Sequence, residues 1–298
     1  MKETQHIAVM TQEVMHALRP QSGGLYIDGT LGGGTHSREL LKATAPDGRV
    51  LSLDIDPKAL ERARDQFSSD KNRWIGVEEN FRNLSEVAKD NGFDPCDGII
   101  LDLGFSSDEL TNKNKGLSFQ IDGPLDMRFG PKSNEDGLTA AEIINSWSKN
   151  EIAQLLREYG EESFAAKIAE GIVKARKKDR IIGTLDLVSI IRNSVHKNYE
   201  RGRINPATRT FQALRIAVND ELNALKHAIE GARKILKPGG RIAIISFHSL
   251  EDRIVKRAFR DSEDLEAVTK RPIIPSEEEI KHNTRSRSAK LRVAEKII

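Results

Sequence analysis

The sequence predicts an α/β fold: a parallel sheet buried on both faces, with an all-helical domain inserted into it. Three observations predict it. Near-continuous apolar runs alternate with helical patterns through the first third of the chain. After the fourth run a polar stretch and then a purely helical periodicity break the alternation. One more apolar run then returns behind a strong helix stop.

Gly24-Leu-Tyr-Ile-Asp28 is the first short strand and leads into a glycine-rich turn. His36 to Ala45 reads as a helix closed by Pro46-Asp47-Gly48, and Arg49 to Asp54 is the second strand. Pro57 opens the next helix, at the position where its missing N–H costs nothing. Arg73 to Val77 and Asp97 to Leu103 are the third and fourth strands, separated by a helix around Leu84 to Asn91. Ser106 to Asp136 is polar and reads as a long functional loop. From Thr139 to about Val195 the apolar spacing is helical. One long helical pattern then runs from Phe211 to Leu236, stopped by Lys237-Pro-Gly-Gly240. Arg241 to Ser246 is the returning strand, Leu250 to Phe259 a helix, and Leu291 to Ile297 a final edge strand. The expected division is a first sheet part at 1–105, the loop and helical insertion at 106–205, and a second sheet part at 206–298.

Composition narrows the classes of function. The chain has 298 residues, 38% apolar and 31% charged, the balance of a soluble globular protein. No run approaches the roughly 18 apolar residues of a membrane span, and the start lacks the apolar stretch of a signal peptide. The single cysteine, Cys96, excludes an internal disulfide or a cysteine zinc cluster and fits a reducing cytoplasm. The net charge is only +2, but Lys174 to Arg215 holds eleven Lys or Arg against three acids. Lys281 to the end holds six against one, and Asp261 to Glu279 between them is acidic. The two basic segments are candidates for a phosphate-binding surface.

The most informative segment is Tyr26-Ile-Asp28-Gly29-Thr30-Leu31-Gly32-Gly33-Gly34-Thr35-His36. A strand running into glycines and then a helix lets the backbone approach a ligand and offers it unpaired N–H groups. Asp54 ends the next strand, where an acid can take both ribose hydroxyls of a nucleotide cofactor. The dinucleotide fingerprint fails, because its third glycine would fall on Ser37. An acid followed by G-x-x-G-G-G is closer to the S-adenosylmethionine pattern, with Asp28 expected to pair with that ligand's ammonium and Gly32 lining its loop. Asp102 ends the fourth strand at the same sheet edge, and Phe81, after the third, is a candidate to pack on an adenine ring.

Further blocks carry a resemblance: Asp97-Gly-Ile-Ile-Leu-Asp-Leu-Gly104, Asp122-Gly-Pro-Leu-Asp-Met-Arg128, Asn205-Pro-Ala-Thr-Arg-Thr-Phe-Gln-Ala-Leu-Arg-Ile216, Ile245-Ser-Phe-His-Ser-Leu-Glu-Asp-Arg253 and Asn283-Thr-Arg-Ser-Arg-Ser-Ala-Lys-Leu-Arg292. With the glycine turn, and in this order, they make the chain resemble the bacterial 16S ribosomal RNA cytosine-N4 methyltransferase family over nearly its full length. The resemblance implies a Rossmann-like, S-adenosylmethionine-dependent methyltransferase sheet with an inserted helical domain. It implies cofactor contacts at Gly34, Thr35, His36, Asp54, Phe81, Asp102 and Glu109. The family usually has Gly at Thr35, often Gln at Glu109, and usually His at Asn205. The implied reaction is N4-methylation of a specific cytosine in 16S ribosomal RNA, with the small subunit as partner, no membrane, and a homodimer left open.

A cytosine amine is a poor nucleophile, so an acceptor should orient it and take its proton. Many amino-methyltransferases place an Asp/Asn-Pro-Pro-Tyr loop after the fourth strand; here Asp102-Leu-Gly-Phe-Ser106 stands there, leaving Asp102 or a nearby backbone carbonyl as the catalytic acceptor. The base must leave its stack, and the polar loop is expected to cover it. Asp122 and Asp126 either read its edge or cap the loop, and they leave a magnesium role open although no resident metal is marked. His248 is expected to wall the site, and Arg209, Arg215, Arg285, Arg287 and Arg292, with Arg203, are candidates for phosphate contact. The competing readings are a methyltransferase for another nucleic-acid or protein acceptor, and a non-catalytic RNA-binding protein with this fold. A nucleotide-dependent dehydrogenase is disfavoured by Ser37.

Overall fold

The computed structural model describes residues 8–104, 110, 112–130, 133–134, 136–196, 199 and 204–298. They form two compact units: Met1–Ser106 with Leu222–Ile298, and Ser107–Glu221.

The first unit is a seven-stranded sheet flanked by helices. Its strands are β1 (Leu25–Asp28), β2 (Arg49–Asp54), β3 (Trp74–Glu78), β4 (Cys96–Asp102), β5 (Leu236–Ser246), β6 (Leu265–Ala267) and β7 (Lys290–Lys296), in the order β3-β2-β1-β4-β5-β7-β6. The first five neighbours pair in parallel, and β7 is antiparallel to both β5 and β6. The order reverses direction at β1, which makes this a doubly wound, Rossmann-like sheet with its ligand crevice expected at the carboxyl ends of β1 and β4.

Successive residues in these strands feed opposite faces of the sheet. Ile99 and Leu101 enter one core with Leu51, Leu53, Ile242 and Ile244, and Ile100 enters the other with Val50, Ala243 and Ile245. Both sides are covered, which explains the unbroken apolar runs. Helices α1 (Thr11–Leu18), α2 (Thr35–Ala43) and α3 (Pro57–Gln66) contribute Val14, Leu40 and Leu60 to the second core. The first core takes Leu84 from α4 (Leu84–Asp90). Asp56 caps α3 by accepting from the Lys58 N–H, with Pro57 at its first position.

The second unit is helical. It contains α5 (Ala140–Ser146), α6 (Lys149–Gly160), α7 (Ala165–Arg176), α8 (Thr184–Ser194) and α9 (Thr208–Asn219). Capping boxes open α5 at Thr139 with Glu142 and α6 at Ser148 with Glu151. Its core joins Ile143, Ile152, Leu156, Ile168, Ile172 and Leu187 with Phe211, Leu214 and Val218.

Several elements differ from the sequence expectation. The long helical pattern after Asn205 is two helices, because Asp220 adopts a left-handed conformation between α9 and α10 (Glu221–Ile235). The apolar face of α9 packs in the helical core, so the second unit runs on to Glu221, past the expected end at 205. Strand β5 begins at Leu236, which pairs with Cys96 ahead of an irregularity at Lys237–Gly240. The terminal strand β7 is internal to the sheet, since the short β6 pairs along its outer side. The predicted helix at Leu250 is α11 (Ser249–Asp261), and the acidic stretch contains a helix not foreseen, α12 (Glu277–His282). No helix among the described residues is long and apolar enough to cross a membrane.

Candidate functional site

The turn between β1 and α2 is fastened to the ends of its two neighbouring strands. The Gly29 N–H donates to the Ile100 carbonyl at 2.9 Å, and the Leu31 N–H to the Leu53 carbonyl at 2.9 Å. The Asp102 N–H donates to the Thr30 hydroxyl at 2.6 Å. The Gly32 N–H donates to Asp54 Oδ2 at 2.8 Å, while Asp54 Oδ1 accepts from the Asp56 N–H at 2.8 Å. The backbone of 29–32 is thus laid across the carboxyl ends of β4 and β2, bringing Asp54 and Asp102 to the two sides of one glycine turn. Phe81 stands beside it: a Cβ at Gly29 would lie 3.6 Å from the Phe81 Cβ and only 2.4 Å from Leu101 Cδ2. That packing explains why position 29 carries no side chain.

Gly34 closes the turn at the start of α2 with φ +73°, and no side chain caps the helix there. The first-turn N–H groups therefore remain available to a ligand. Alanine at 34 would place its Cβ 3.1 Å from Phe67 Cζ in a left-handed conformation. Gly34→Ala is expected to cost about 1–2 kcal/mol, read as a lowered denaturant midpoint with an unchanged slope. Thr35, half-buried, and His36 follow in the first helical turn.

Asp28 departs from its expected role. It is fully buried; its Oδ1 accepts from the Thr30 N–H at 3.2 Å and its Oδ2 from the Ser37 hydroxyl at 2.6 Å. The donor chain continues outward, with Ser52 Oγ 2.8 Å from Ser37 Oγ and Trp74 Nε1 donating to Ser52 Oγ at 2.8 Å. Burial pushes the Asp28 carboxyl above its usual range, against the lowering pull of His36, Ser37 and Thr30. Its carboxyl holds the turn through this internal network.

His36 is 3% exposed, and its Nε2 lies 3.5 Å from Asp102 Oδ2. Neither ring nitrogen has a hydrogen-bond partner among the described residues, and neither has the buried Asp102 Oδ1. Burial lowers the proton affinity of the imidazole, but the carboxylates of Asp102, Asp28 and Glu279 outweigh it and raise the pKa. A histidine raised in the fold stabilises fully below its unfolded value of about 6.5 and loses that contribution as pH rises through the folded value. His36→Gln is therefore expected to lower the Tm most near pH ~5.5 and least near pH ~8.5. A gap constant with pH would contradict the raised value.

Glu279, on α12, was read only as part of an acidic stretch. Its Oε1 accepts from the Met10 N–H at 2.6 Å, and burial raises its carboxyl. No local signal marks it, because its partners lie at the other end of the chain. Thr30 and Ser37 were also missed as supports: the Thr30 hydroxyl accepts from the Asp102 backbone, the Ser37 hydroxyl donates to Asp28, and neither carries a motif of its own.

The candidate substrate residues divide. Asp122 caps α8, accepting from the Leu185 N–H at 3.3 Å, and Asp126 grips Arg128 at 2.8 and 2.7 Å. Burial would raise the Asp126 carboxyl, but the Arg128 guanidinium holds it below its usual range. Both make these contacts within the helical unit. Arg215 is paired with Glu221 at 2.7 and 3.0 Å, and Arg292 with Asp252 at 2.7 Å; their side chains are 13% and 11% exposed. Both guanidinium groups are thus paired with carboxylates within the described residues. Arg209 donates to the Glu161 carbonyl at 2.5 Å at the end of α6. His248 caps α11 through the Glu251 N–H at 3.4 Å, with Nε2 3.2 Å from the Glu251 carboxylate. Arg285 is half-buried and Arg287 exposed in the turn Thr284–Ser288. Glu109 and Arg203 lie outside the described residues.

The model of the MraW methylase family matches residues 3–297. A protein of Carboxydothermus hydrogenoformans named Ribosomal RNA small subunit methyltransferase H is 45% identical over 313 residues, covering 99% of this chain and 99% of that protein. A protein of the same name from Thermomicrobium roseum is 46% identical over 312 residues, covering 99% and 94%.

Proposed function

We infer the function from one premise, that the chain belongs to the MraW methylase family. It is an S-adenosylmethionine-dependent methyltransferase of small-subunit ribosomal RNA, and its acceptor is the N4 amine of a cytosine. The observation that carries this reading is the Asp102 carboxylate, with a buried, unpartnered oxygen, beside a glycine turn whose helix start is uncapped.

The residues present fit the cofactor. Uncapped N–H groups at the start of α2 suit a carboxylate, Asp54 at the end of β2 suits ribose hydroxyls, and Phe81 offers an apolar face for adenine. Orphaned polar atoms on His36 and Asp102 mark a place that wants a polar partner. Bound there, S-adenosylmethionine supplies a methyl group activated by its sulfonium.

The chain's own task is to hold the acceptor and accept its proton. The cytosine amine gives its lone pair to the ring, so it gains nucleophilicity as a neighbouring base takes its hydrogen. Asp102 is that base, held by the bond from its own N–H to Thr30 and by strand pairing with Ile245. His36 Nε2 stands 3.5 Å from this carboxylate. With the methyl donor bound, Asp102 Oδ would take the N4 proton while the methyl–sulfur bond breaks and the N–C bond forms, a neutral thioether being left behind.

The test is transfer of labelled methyl from S-adenosylmethionine to small ribosomal subunits that lack the modification. Label is expected in ribosomal RNA; label confined to ribosomal protein would refute the acceptor.

A further inference from the structure

A cavity of about 350 Å³ opens beside the end of β5, inside the 300–1,000 Å³ range of small-ligand sites. Phe247, Ile274, Pro275 and Ile280 give it apolar walls, and Arg287 and Lys290 give it cations. It lies near the carboxyl end of β4. Asp102 pairs with Ile245, two residues before Phe247, and a Cβ at Gly104 would sit 3.6 Å from Phe247 Cδ2.

Each wall is pinned. The Phe247 N–H donates to Glu251 Oε2 at 2.8 Å. Ile273 exchanges both backbone hydrogen bonds with Leu291 at 2.9 Å, fixing the strap that carries Ile274 and Pro275. Ser286, fully buried, donates its hydroxyl to the Asn283 carbonyl at 2.8 Å and anchors the turn bearing Arg287. On this fixed frame Ile274 is 68% exposed. Lys290 is committed to Asp252 at 3.3 Å, whereas Arg287 is exposed with no ion pair or hydrogen bond among the described residues. A preformed apolar slot with one free guanidinium at its mouth matches a flat heterocycle joined to a phosphate.

We propose that this cavity receives an unstacked nucleotide of the substrate RNA, next to the base being modified, with the base between Phe247 and Ile274 and its phosphate on Arg287. The proposal rests on the RNA reading above. An extruded base leaves its neighbours unstacked, and an apolar wall beside the reacting carboxylate offers one of them a new surface to stack on.

Arg287→Ala and Ile274→Asp, both at exposed positions, test it in two assays run side by side. One is methyl transfer to unmodified small subunits; the other is binding of a fluorescent single-stranded RNA oligonucleotide, which needs no methyl transfer. Each variant is expected to raise KM about tenfold and to weaken oligonucleotide binding similarly, with kcat and S-adenosylmethionine affinity unchanged. Arg287→Ala should also flatten the salt dependence of binding by about 0.7 in log–log slope. Unchanged KM, oligonucleotide affinity and salt slope in an active enzyme would overturn the proposal. A loss confined to intact subunits would assign the cavity to a ribosomal protein and overturn it too. If the wild type transfers no methyl group but oligonucleotide binding depends on Arg287, the cavity stands and the methyltransferase reading falls.

Discussion

Asp102→Ala is expected to lower methyl transfer by about 10²–10⁴-fold, a larger effect than any it has on S-adenosylmethionine binding. The carboxylate lies at the end of a strand buried on both sides, and its backbone is fixed through Thr30 and Ile245. Truncation therefore removes the proton acceptor without moving the frame. The effect belongs in the chemical step, because Asp102 Oδ1 has no partner among the described residues to be orphaned by the change. Single-turnover transfer separates this from binding: the rate at saturating cofactor and RNA should fall. A variant that transfers at the wild-type rate would move the acceptor to a backbone carbonyl near β4.

Asp54→Ala has the second large effect, and it should appear in binding. Asp54 accepts from the Gly32 and Asp56 N–H groups, and on the proposed reading it also takes the ribose hydroxyls. Losing charge-assisted hydrogen bonds, each worth about 1.5–3 kcal/mol, should weaken S-adenosylmethionine binding about 100-fold by calorimetry. Asp54→Asn keeps one acceptor for the Gly32 N–H, so its loss should be smaller. Equal losses would mean that charge alone, and no support of the turn, sets the affinity.

The central sheet was legible because β1, β2 and β4 are buried on both faces and so are written as apolar runs, and because β1, β2 and β3 each lead into a helix. The glycine turn was legible for a related reason: Gly29 and Gly34 answer to local sterics, a close Leu101 and a left-handed φ. What stayed hidden depends on partners distant in sequence. Strand β7 reads as an edge until β6, the three residues Leu265-Glu-Ala267, pairs outside it. Asp28 and Asp54 look alike as acids closing successive strands, yet one is sealed by Ser37, Ser52 and Trp74 while the other stays half-buried at the turn. The arginines divide in the same way. Arg292 finds Asp252, 40 residues away, and is spent, and Arg287 in the same basic segment is left free. Local charge density could not tell these apart, because it does not record which carboxylates fold back onto it.

The His36–Asp102 contact shows how site chemistry follows from this packing. A buried imidazole keeps its proton only where carboxylates surround it. Here they come from β1, β4 and α12, as Asp28, Asp102 and Glu279. Burial disfavours the charged imidazole, and these three carboxylates outweigh it and raise the His36 pKa.

The most direct measurement is nucleoside analysis of small-subunit RNA after incubation of unmodified subunits with S-adenosylmethionine and the protein. N4-methylcytidine should appear with the wild type and be lost with Asp102→Ala. S-adenosylmethionine binding with no methylated cytidine would contradict the account, leaving the fold and cofactor site in place and moving the acceptor to another macromolecule.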